Sequence, residues 1–240
     1  MIIQTATLSL FRFDSLFGRL SAFVMMGLAR WPLAGLSGLE FCKLCGSGTD
    51  EGFTPRPNTA VWAILAVWTD RATAARSIAT ASPFTWYRRR ASEHWTVFLR
   101  PVSARGAWSG RNPFHVSGGE SDGRTIAALT RATLKPKNLL RFWRQVPDIS
   151  RVIGANTDVL MKIGLGEIPL LHQITFSIWP DIGAMSEFAR RPGPHAEAIR
   201  MVREGRWFQE ELYARFEILD ETGQWEGKRP VVELEGQDIR

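Results

Sequence analysis

The stretch ITFSIWPD, residues 174 to 181, repeats AILAVWTD, residues 63 to 70, at a spacing of 111 residues. Both are apolar strands ending in Trp, one residue and Asp. The elements around them recur in the same order. TLSLFRF (7–13), a helical pattern from Ser15 to Trp31, LEFCKLCGSG (39–48), the first twin, a helical stretch from Asp70 to Ala91 and HWTVFLRPV (94–102) make one set. IAALTRATL (126–134), a helical stretch from Lys137 to Gly154, VLMKIGLG (159–166), the second twin, a helical region from Asp181 to Glu210 and LYARFEIL (212–219) make the other. EHWTVF (93–98) matches ELYARF (211–216) at 118, and GAWSG (106–110) matches GQWEG (223–227) at 117, which predicts an insertion near REGRWFQ (203–209).

A strand, helix, strand, strand, helix, strand unit is the ferredoxin-like arrangement, an antiparallel sheet with helices on one face. The bare face must be covered, and two such units can cover each other. The expected fold is therefore α+β: tandem duplicated ferredoxin-like (βαββαβ) units packed sheet to sheet, like a dimeric α/β barrel within one chain. Residues 1–111 and 124–227 form the repeats, 112–123 the linker and 228–240 a flexible tail.

The two copies differ in two places. On the second twin Gln173, Thr175 and Ser177 share a face with Trp179, where the first twin has Trp62, Ile64 and Ala66 beside Trp68. Buried polar groups without partners are costly, so such a row marks a wet or ligand-bearing cavity, or else a strand edge open to solvent. The second difference is His195, which stands where the first copy has Phe84. In RRPGPHAEAIRMV (190–202) Pro194 suits a first helical position, and His195 shares the apolar stripe of Ala198, Ile199 and Val202. An inward histidine at a helix N-terminus suits a neutral metal ligand, or a core histidine bonded to a carbonyl. His94 can face the space between the sheets, His172 reads as a loop residue and His115 as part of the exposed linker.

Other classes are narrowed by what is missing. With 240 residues and 45% hydrophobic side chains the chain can bury a sizeable core. The longest apolar runs fall short of the roughly 20 residues a spanning helix needs, and the start lacks the features of an export signal. Cys42 and Cys45 form a lone CxxC and read as small apolar side chains. The net charge of +6 falls in the first half, with 13 Lys/Arg against 7 Asp/Glu in residues 1–120 and 17 of each in residues 121–240. A basic half suits an acidic protein partner, an anionic lipid or a nucleic acid. FTWYRRR (84–90) and RFWRQ (141–145) fit solvated basic helix faces better than stacking platforms for nucleic acid. The wide apolar stripe of the helix from Ser15 to Trp31, framed by Arg12, Arg19 and Arg30, reads as core packing, with an interfacial contact for a lipid-soluble substrate as the second reading. No metalloprotease, triad or nucleotide-binding signature is present.

Several long segments carry a family resemblance: TATLSLFRFDSL (5–16), GSGTDEGFTPRPNTAVWAILAVW (46–68), EHWTVFL (93–99), RFWRQVPDIS (141–150), QITFSIWPD (173–181) and GPHAEAI (193–199). From about residue 4 to 227 the chain resembles the spheroidene monooxygenase family, the acyclic-carotenoid 2-ketolases of purple phototrophic bacteria. The resemblance implies an oxygen-dependent haem b monooxygenase that oxidises C2 of acyclic carotenoids to a ketone by successive hydroxylations. It implies O2 and a reduced ferredoxin-type donor, which suits the basic first half. The resemblance does not say which residue holds the iron; by position in the repeat His195 is expected as the ligand, with His94 as runner-up, Cys42 as a weaker option and Trp179 beside the cofactor. Gln173, Thr175 and Ser177 are expected on the ligand side, and Arg215 near a haem propionate or bound oxygen. The expected location is cytoplasmic, with a peripheral contact at the inner (intracytoplasmic) membrane, no nucleic-acid partner, and self-association left open. A non-redox module of the same fold that binds an apolar small molecule is the alternative.

Overall fold

The apolar alternation of each strand finds its place in a closed eight-stranded antiparallel barrel in the computed structural model, which describes residues 3–49, 54–118, 124–144, 159–168, 170–190 and 207–231. The elements are β1 (Thr5–Arg12), α1 (Leu16–Leu28), α2 (Arg30–Ala34), β2 (Leu39–Gly48), β3 (Pro57–Trp68), α3 (Arg71–Thr80), α4 (Ser82–Arg90) and β4 (Glu93–Gly106). They continue with β5 (Ile126–Leu134), β6 (Met161–Gly166), β7 (His172–Trp179), α5 (Ile182–Arg190) and β8 (Phe208–Gly223). A 3-10 turn at Pro136–Asn138 leads into helical residues 139–144.

Going round the barrel the order is β1-β3-β2-β6-β7-β5-β8-β4. Within the first half the strands therefore run β4-β1-β3-β2, and within the second β8-β5-β7-β6. The halves join edge to edge at two seams, and their inward faces share one apolar interior. The β4–β8 seam is long, from Trp95 opposite Gly223 to Gly106 opposite Leu212. The β2–β6 seam has only Gly46 opposite Gly166 and Ser47 opposite Leu165.

Inside the barrel lie Leu8, Leu10, Ala63, Leu65, Val67, Trp95, Val97, Leu129, Ile163, Ile174, Phe176, Ile178, Leu212 and Phe216. The opposite faces of β1, β3 and β4 pack under the helices through Phe11, Ile64, Ala66, Trp68 and Phe98. A strand covered on both faces must be apolar at every position, which is why β3 reads as a continuous run.

The repeated Trp and Asp have local roles in both halves. Asp70 caps α3 by accepting from Thr73 N at 2.8 Å, and Asp181 accepts from Ala184 N at 2.8 Å at the start of α5. Trp68 packs on Phe84 at 6.0 Å and Trp179 on Phe188 at 5.2 Å, each under the helical layer that its own Asp begins. GAWSG and GQWEG build the same turn: Trp108 bridges to Arg111 and Trp225 to Lys228. The ladders also correct one correspondence. Leu8 faces Leu65 and Val97, while Leu129 faces Phe176 and Ala214, so the last strands match at 117 and not at 118. An offset of 118 would turn every side chain of β8 to the wrong face.

Several expected boundaries move. The helical stretch from Asp70 to Ala91 breaks at Ala81, whose ψ of 140° is extended. The region expected to stay helical to Glu210 is already strand at Phe208. The expected core role of the first helix is corrected more sharply. Only Ala22 of α1 is buried. Its bulky side chains point out, with Leu16 81%, Phe17 80%, Leu20 63%, Phe23 64%, Val24 53% and Leu28 49% exposed, and Trp31 in α2 78%. Full burial of an exposed Leu, Val or Phe would bring about 1.5–3 kcal/mol, and each of these side chains forgoes the part of it that matches its exposure.

Candidate functional site

The short β2–β6 seam opens outward into a cleft of about 440 Å³. One wall is α1, through Phe23, Val24, Met26 and Gly27. Leu44, Trp62 and Leu165 form the floor along the seam, and Trp143 and Leu170 stand opposite. Trp143 is fixed there by its Nε1–H donating to the Leu170 carbonyl at 3.1 Å. The polar side chains among the lining residues are few: Arg30, Ser47 and Thr54 from the first half and Glu167 and Gln173 from the second. An apolar cleft with a few convergent polar groups is the usual form of a small-molecule site.

Behind Glu167 a charged cluster fills one mouth of the barrel. Arg131, 2% exposed, forms an ion pair with Glu210 and approaches Glu167 Oε1 with its Nε at 3.6 Å. Lys43 Nζ lies 2.8 Å from Glu167 Oε2 and donates to Ser109 Oγ at 2.7 Å. Trp108 Nε1–H donates to Glu167 Oε1 at 2.7 Å. Burial alone would raise the Glu210 carboxyl, but the amides of Gly110 and Ser109 and the Arg131 guanidinium outweigh it and hold it below its ordinary range. His172 Nδ1 lies 3.7 Å from Glu167 Oε1; burial lowers its tendency to protonate, against the pull of Glu167. His172, read as a loop residue, is thus the first residue of β7 and a member of this cluster.

The outward face of the second-half sheet gathers most of the expected site residues. In register, Arg215, Ala128, Ser177 and Lys162 form one row across β8, β5, β7 and β6, and Tyr213, Thr130, Thr175 and Gly164 the next. Glu211, Ala132 and Gln173 follow. The matching rows of the first half are Phe98, Thr7, Ala66, Cys42, then Thr96, Ser9, Ile64, Leu44, then His94, Phe11, Trp62, Gly46. Small and polar side chains thus replace Phe11, Trp62, Ile64 and Phe98. The polar row lies outside the apolar barrel interior. Gln173 and Thr175 are half-buried; Ser177 is buried and its hydroxyl already accepts from Trp179 Nε1–H at 2.9 Å.

His94 is not brought to this face. It shares the outward side of the first half with Phe11, so it does not face the inter-sheet space, and burial and then Arg88 disfavour its protonated form. His195 lies outside the described residues. Among those described, no group of three His, Cys, Asp or Glu side chains could hold a metal ion. Cys42 and Cys45 point to opposite faces of β2, as an i, i+3 pair on a strand must, and burial pushes the Cys42 thiol up to about 12. The aromatics of FTWYRRR go inward, with Phe84 and Tyr87 buried.

Comparison with known proteins adds an independent line. No protein-family model matches the chain. A spheroidene monooxygenase of Cereibacter sphaeroides is 51% identical over 232 residues, covering 96% of this chain and 72% of that protein. Those of Rhodobacter capsulatus and Rubrivivax gelatinosus are 47% and 36% identical, covering 95% and 82% of this chain and 96% and 76% of theirs. Among solved structures, an aldoxime dehydratase superposes with a TM-score of 0.59 at 12% identity, covering 91% of this chain and 82% of that one, which is a likeness of fold. A second, crystallised with butyraldoxime, gives 0.56 at 12% identity over 91% and 80%. On the strength of its near-complete overlap with relatives of that name, the chain belongs to the spheroidene monooxygenase family.

Proposed function

We propose that this monooxygenase is a haem b enzyme that oxidises the C2 methylene of an acyclic carotenoid such as spheroidene to a ketone, with O2 and a reduced ferredoxin-type donor. The observation that carries the reading is the apolar cleft between α1 and the second-half sheet, in a chain 51% identical to a protein named for spheroidene. At about 440 Å³ it suits the end of a long polyene rather than its whole length, and C2 lies at such an end.

A haem would sit on the outward face of the second sheet. Ala132, Thr175 and Gln173 stand where the first half is filled by Phe11, Ile64 and Trp62, and Ala128 and Thr130 are small, as are their counterparts Thr7 and Ser9, so the floor is low. His195 would hold the iron. In support, Phe84, 111 residues earlier, packs on Trp68, itself 111 residues before Trp179. Arg215 would pair with a propionate, and Gln173 would orient the substrate end where cleft and floor meet. When bound, the haem supplies the oxidising power to insert oxygen into an unactivated C–H bond, which side chains alone lack. Each insertion consumes one O2, two electrons and two protons and releases one water; the second yields a gem-diol that loses water to the ketone. The chain's own share is to hold the polyene end in an apolar, largely dry cleft. The same-order halves, β4-β1-β3-β2 and β8-β5-β7-β6, and the recurring Trp turn support a tandem ferredoxin-like duplication with specialisation of the second copy.

The test is a pyridine haemochrome count on purified protein, with product analysis on spheroidene under reduced ferredoxin. About one haem per chain and a 2-keto product support the reading. A colourless protein that binds the polyene without oxidising it favours an apolar-ligand-binding module of the same fold. With haem bound, a full complement and unaltered Soret band in His195→Ala would remove His195 as ligand.

A further inference from the structure

The apolar face of α1 points away from the core, and the stripe has helical spacing: Leu16, Phe17, Leu20, Phe23, Val24, Gly27, Leu28 and, past a turn, Trp31. The inward side holds the small Ala22, with Met25 and Met26 partly buried. This inverts the usual surface helix, in which bulky side chains face the core. Contiguous exposed apolar surface of this kind marks an interaction site.

Two features say what covers it. First, the stripe runs into the cleft, because Phe23, Val24 and Gly27 are both exposed on α1 and part of the cleft wall. Second, the surroundings are basic. From Ser15 to Leu39 the only charged residues are Arg19 and Arg30, and residues 124 to 144, which include the opposite wall, contain no Asp or Glu. Lys137, Arg141 and Arg144 are exposed there beside Leu140, itself 75% exposed, and Arg56 is exposed next to the lining residues Pro55 and Pro57.

We propose that α1 and Trp31 dock on a lipid bilayer carrying anionic headgroups, with the apolar stripe in the acyl boundary and the arginines and lysines at the phosphates. The cleft mouth then opens at the membrane surface, where a polyene can enter without crossing water. This deepens the carotenoid reading above and rests on it for the identity of the cargo, but not for the docking itself. A second copy on the same face would close the cleft mouth and bring two cationic rims together, whereas anionic lipid neutralises them. No helix among the described residues is long and apolar enough to cross a membrane, and α1, at 13 residues, is shorter than the roughly 20 a span needs, which suits an interfacial contact.

Flotation of the full chain with vesicles tests this. The wild type is expected to float with mixed phosphatidylcholine and phosphatidylglycerol, less with phosphatidylcholine alone, and less again at high salt. The double variant Phe17→Glu, Leu20→Glu, at two exposed positions outside the cleft lining, should partition at least about tenfold more weakly, with unchanged circular dichroism and melting midpoint. It should oxidise detergent-dispersed carotenoid at the wild-type rate and vesicle-embedded carotenoid much more slowly. Absence of flotation by the wild type overturns docking, as does undiminished flotation of the variant. A wild-type dimer that the variant converts to monomer assigns the face to a second copy and also overturns it. If the wild type floats but oxidises no carotenoid in either form, docking stands and the functional reading fails.

Discussion

Lys43 of β2 and Glu167, just beyond β6, form an ion pair of 2.8 Å across the shorter of the two seams that close the barrel. Backbone pairing there is confined to Gly46 with Gly166 and Ser47 with Leu165, so side chains do much of the joining. Ser47 Oγ–H adds a bond to the Gly164 carbonyl at 2.8 Å. Glu167 also receives Trp108 Nε1–H and faces Arg131, which makes it the hub between the cleft and the barrel mouth.

Glu167→Gln is therefore expected to destabilise the fold by about 2–4 kcal/mol, because Arg131 and Lys43 keep their charges in a partly desolvated site with one carboxylate fewer. Lys43→Met should cost less, since its methylene stem is replaced by an apolar side chain of similar length. A double-mutant cycle read by urea unfolding should give a coupling of about 1 kcal/mol or more between the two. Additivity of the single effects would mean that the pair does not join the halves.

Acid should weaken the fold in two stages. Burial depresses both His94 and His172 below their ordinary value of 6.5, so below that pH the unfolded chain binds more protons than the folded one. Stability then falls as pH drops from 6.5 towards the depressed folded values. Glu210 is also depressed from its ordinary 4.5, so its contribution is present above 4.5 and is lost as pH falls through the lower folded value. Urea midpoints against pH should flatten in the upper window for His94→Gln combined with His172→Gln, and in the lower window for Glu210→Gln. An unchanged slope in either variant would refute the assignment for that window.

Much of this architecture was legible because local chemistry and tertiary role coincide. Strands at 39–48 and 126–134 form with those bounds, and the repeated Asp after each Trp caps a helix in both halves. Periodicity shows that α1 has an apolar stripe but not which phase covers it, so core packing came first and the outward, interfacial reading only second. The Lys43, Arg131, Glu167, His172 and Glu210 cluster was also missed. Its members come from different strands or strand ends, far apart in the sequence, so no local pattern groups them. One signal was available: Lys43 and Arg131 interrupt strands at interior-facing positions, where a buried charge needs a partner. The polar row was placed on the right face relative to Trp179, yet Ser177 turned out to serve that Trp.

Gly106 and Gly223 have φ of 96° and 79°, and a Cβ at either would stand 2.2 Å from a backbone carbonyl oxygen, of Glu211 and His94 respectively. Neither the conformation nor the contact can be relieved by a side-chain rotation. Ala at either position should cost several kcal/mol, more than the ~1 kcal/mol of a left-handed residue alone, because the β4–β8 seam must move as well. Gly110, at φ 81° with open space around it, is the control: Gly110→Asn should be nearly neutral. Thermal melts of the three variants would separate clash from backbone preference.

Trp68 and Trp179 occupy matching positions, and each finds a hydroxyl for its indole N–H at 2.9 Å, but from different places: Thr7 on the neighbouring strand for Trp68, Ser177 on its own strand for Trp179. Thr7 matches Ala128 in the second half, which has no hydroxyl to offer, so Ser177 supplies the acceptor that the small-residue floor removed. Ser177→Ala should then leave the buried Trp179 donor unpaired, at a cost of about 1–3 kcal/mol. The compensating variant, Ala128→Thr in the Ser177→Ala background, restores an acceptor on the first-half pattern and should recover part of that stability. If haem occupies the floor, the same added Thr should also lower haem content, because it raises the surface at its centre. Recovered stability with undiminished haem would mean that the floor beside Ala128 is not where the haem lies, and full stability in Ser177→Ala alone would mean that Trp179 has another acceptor.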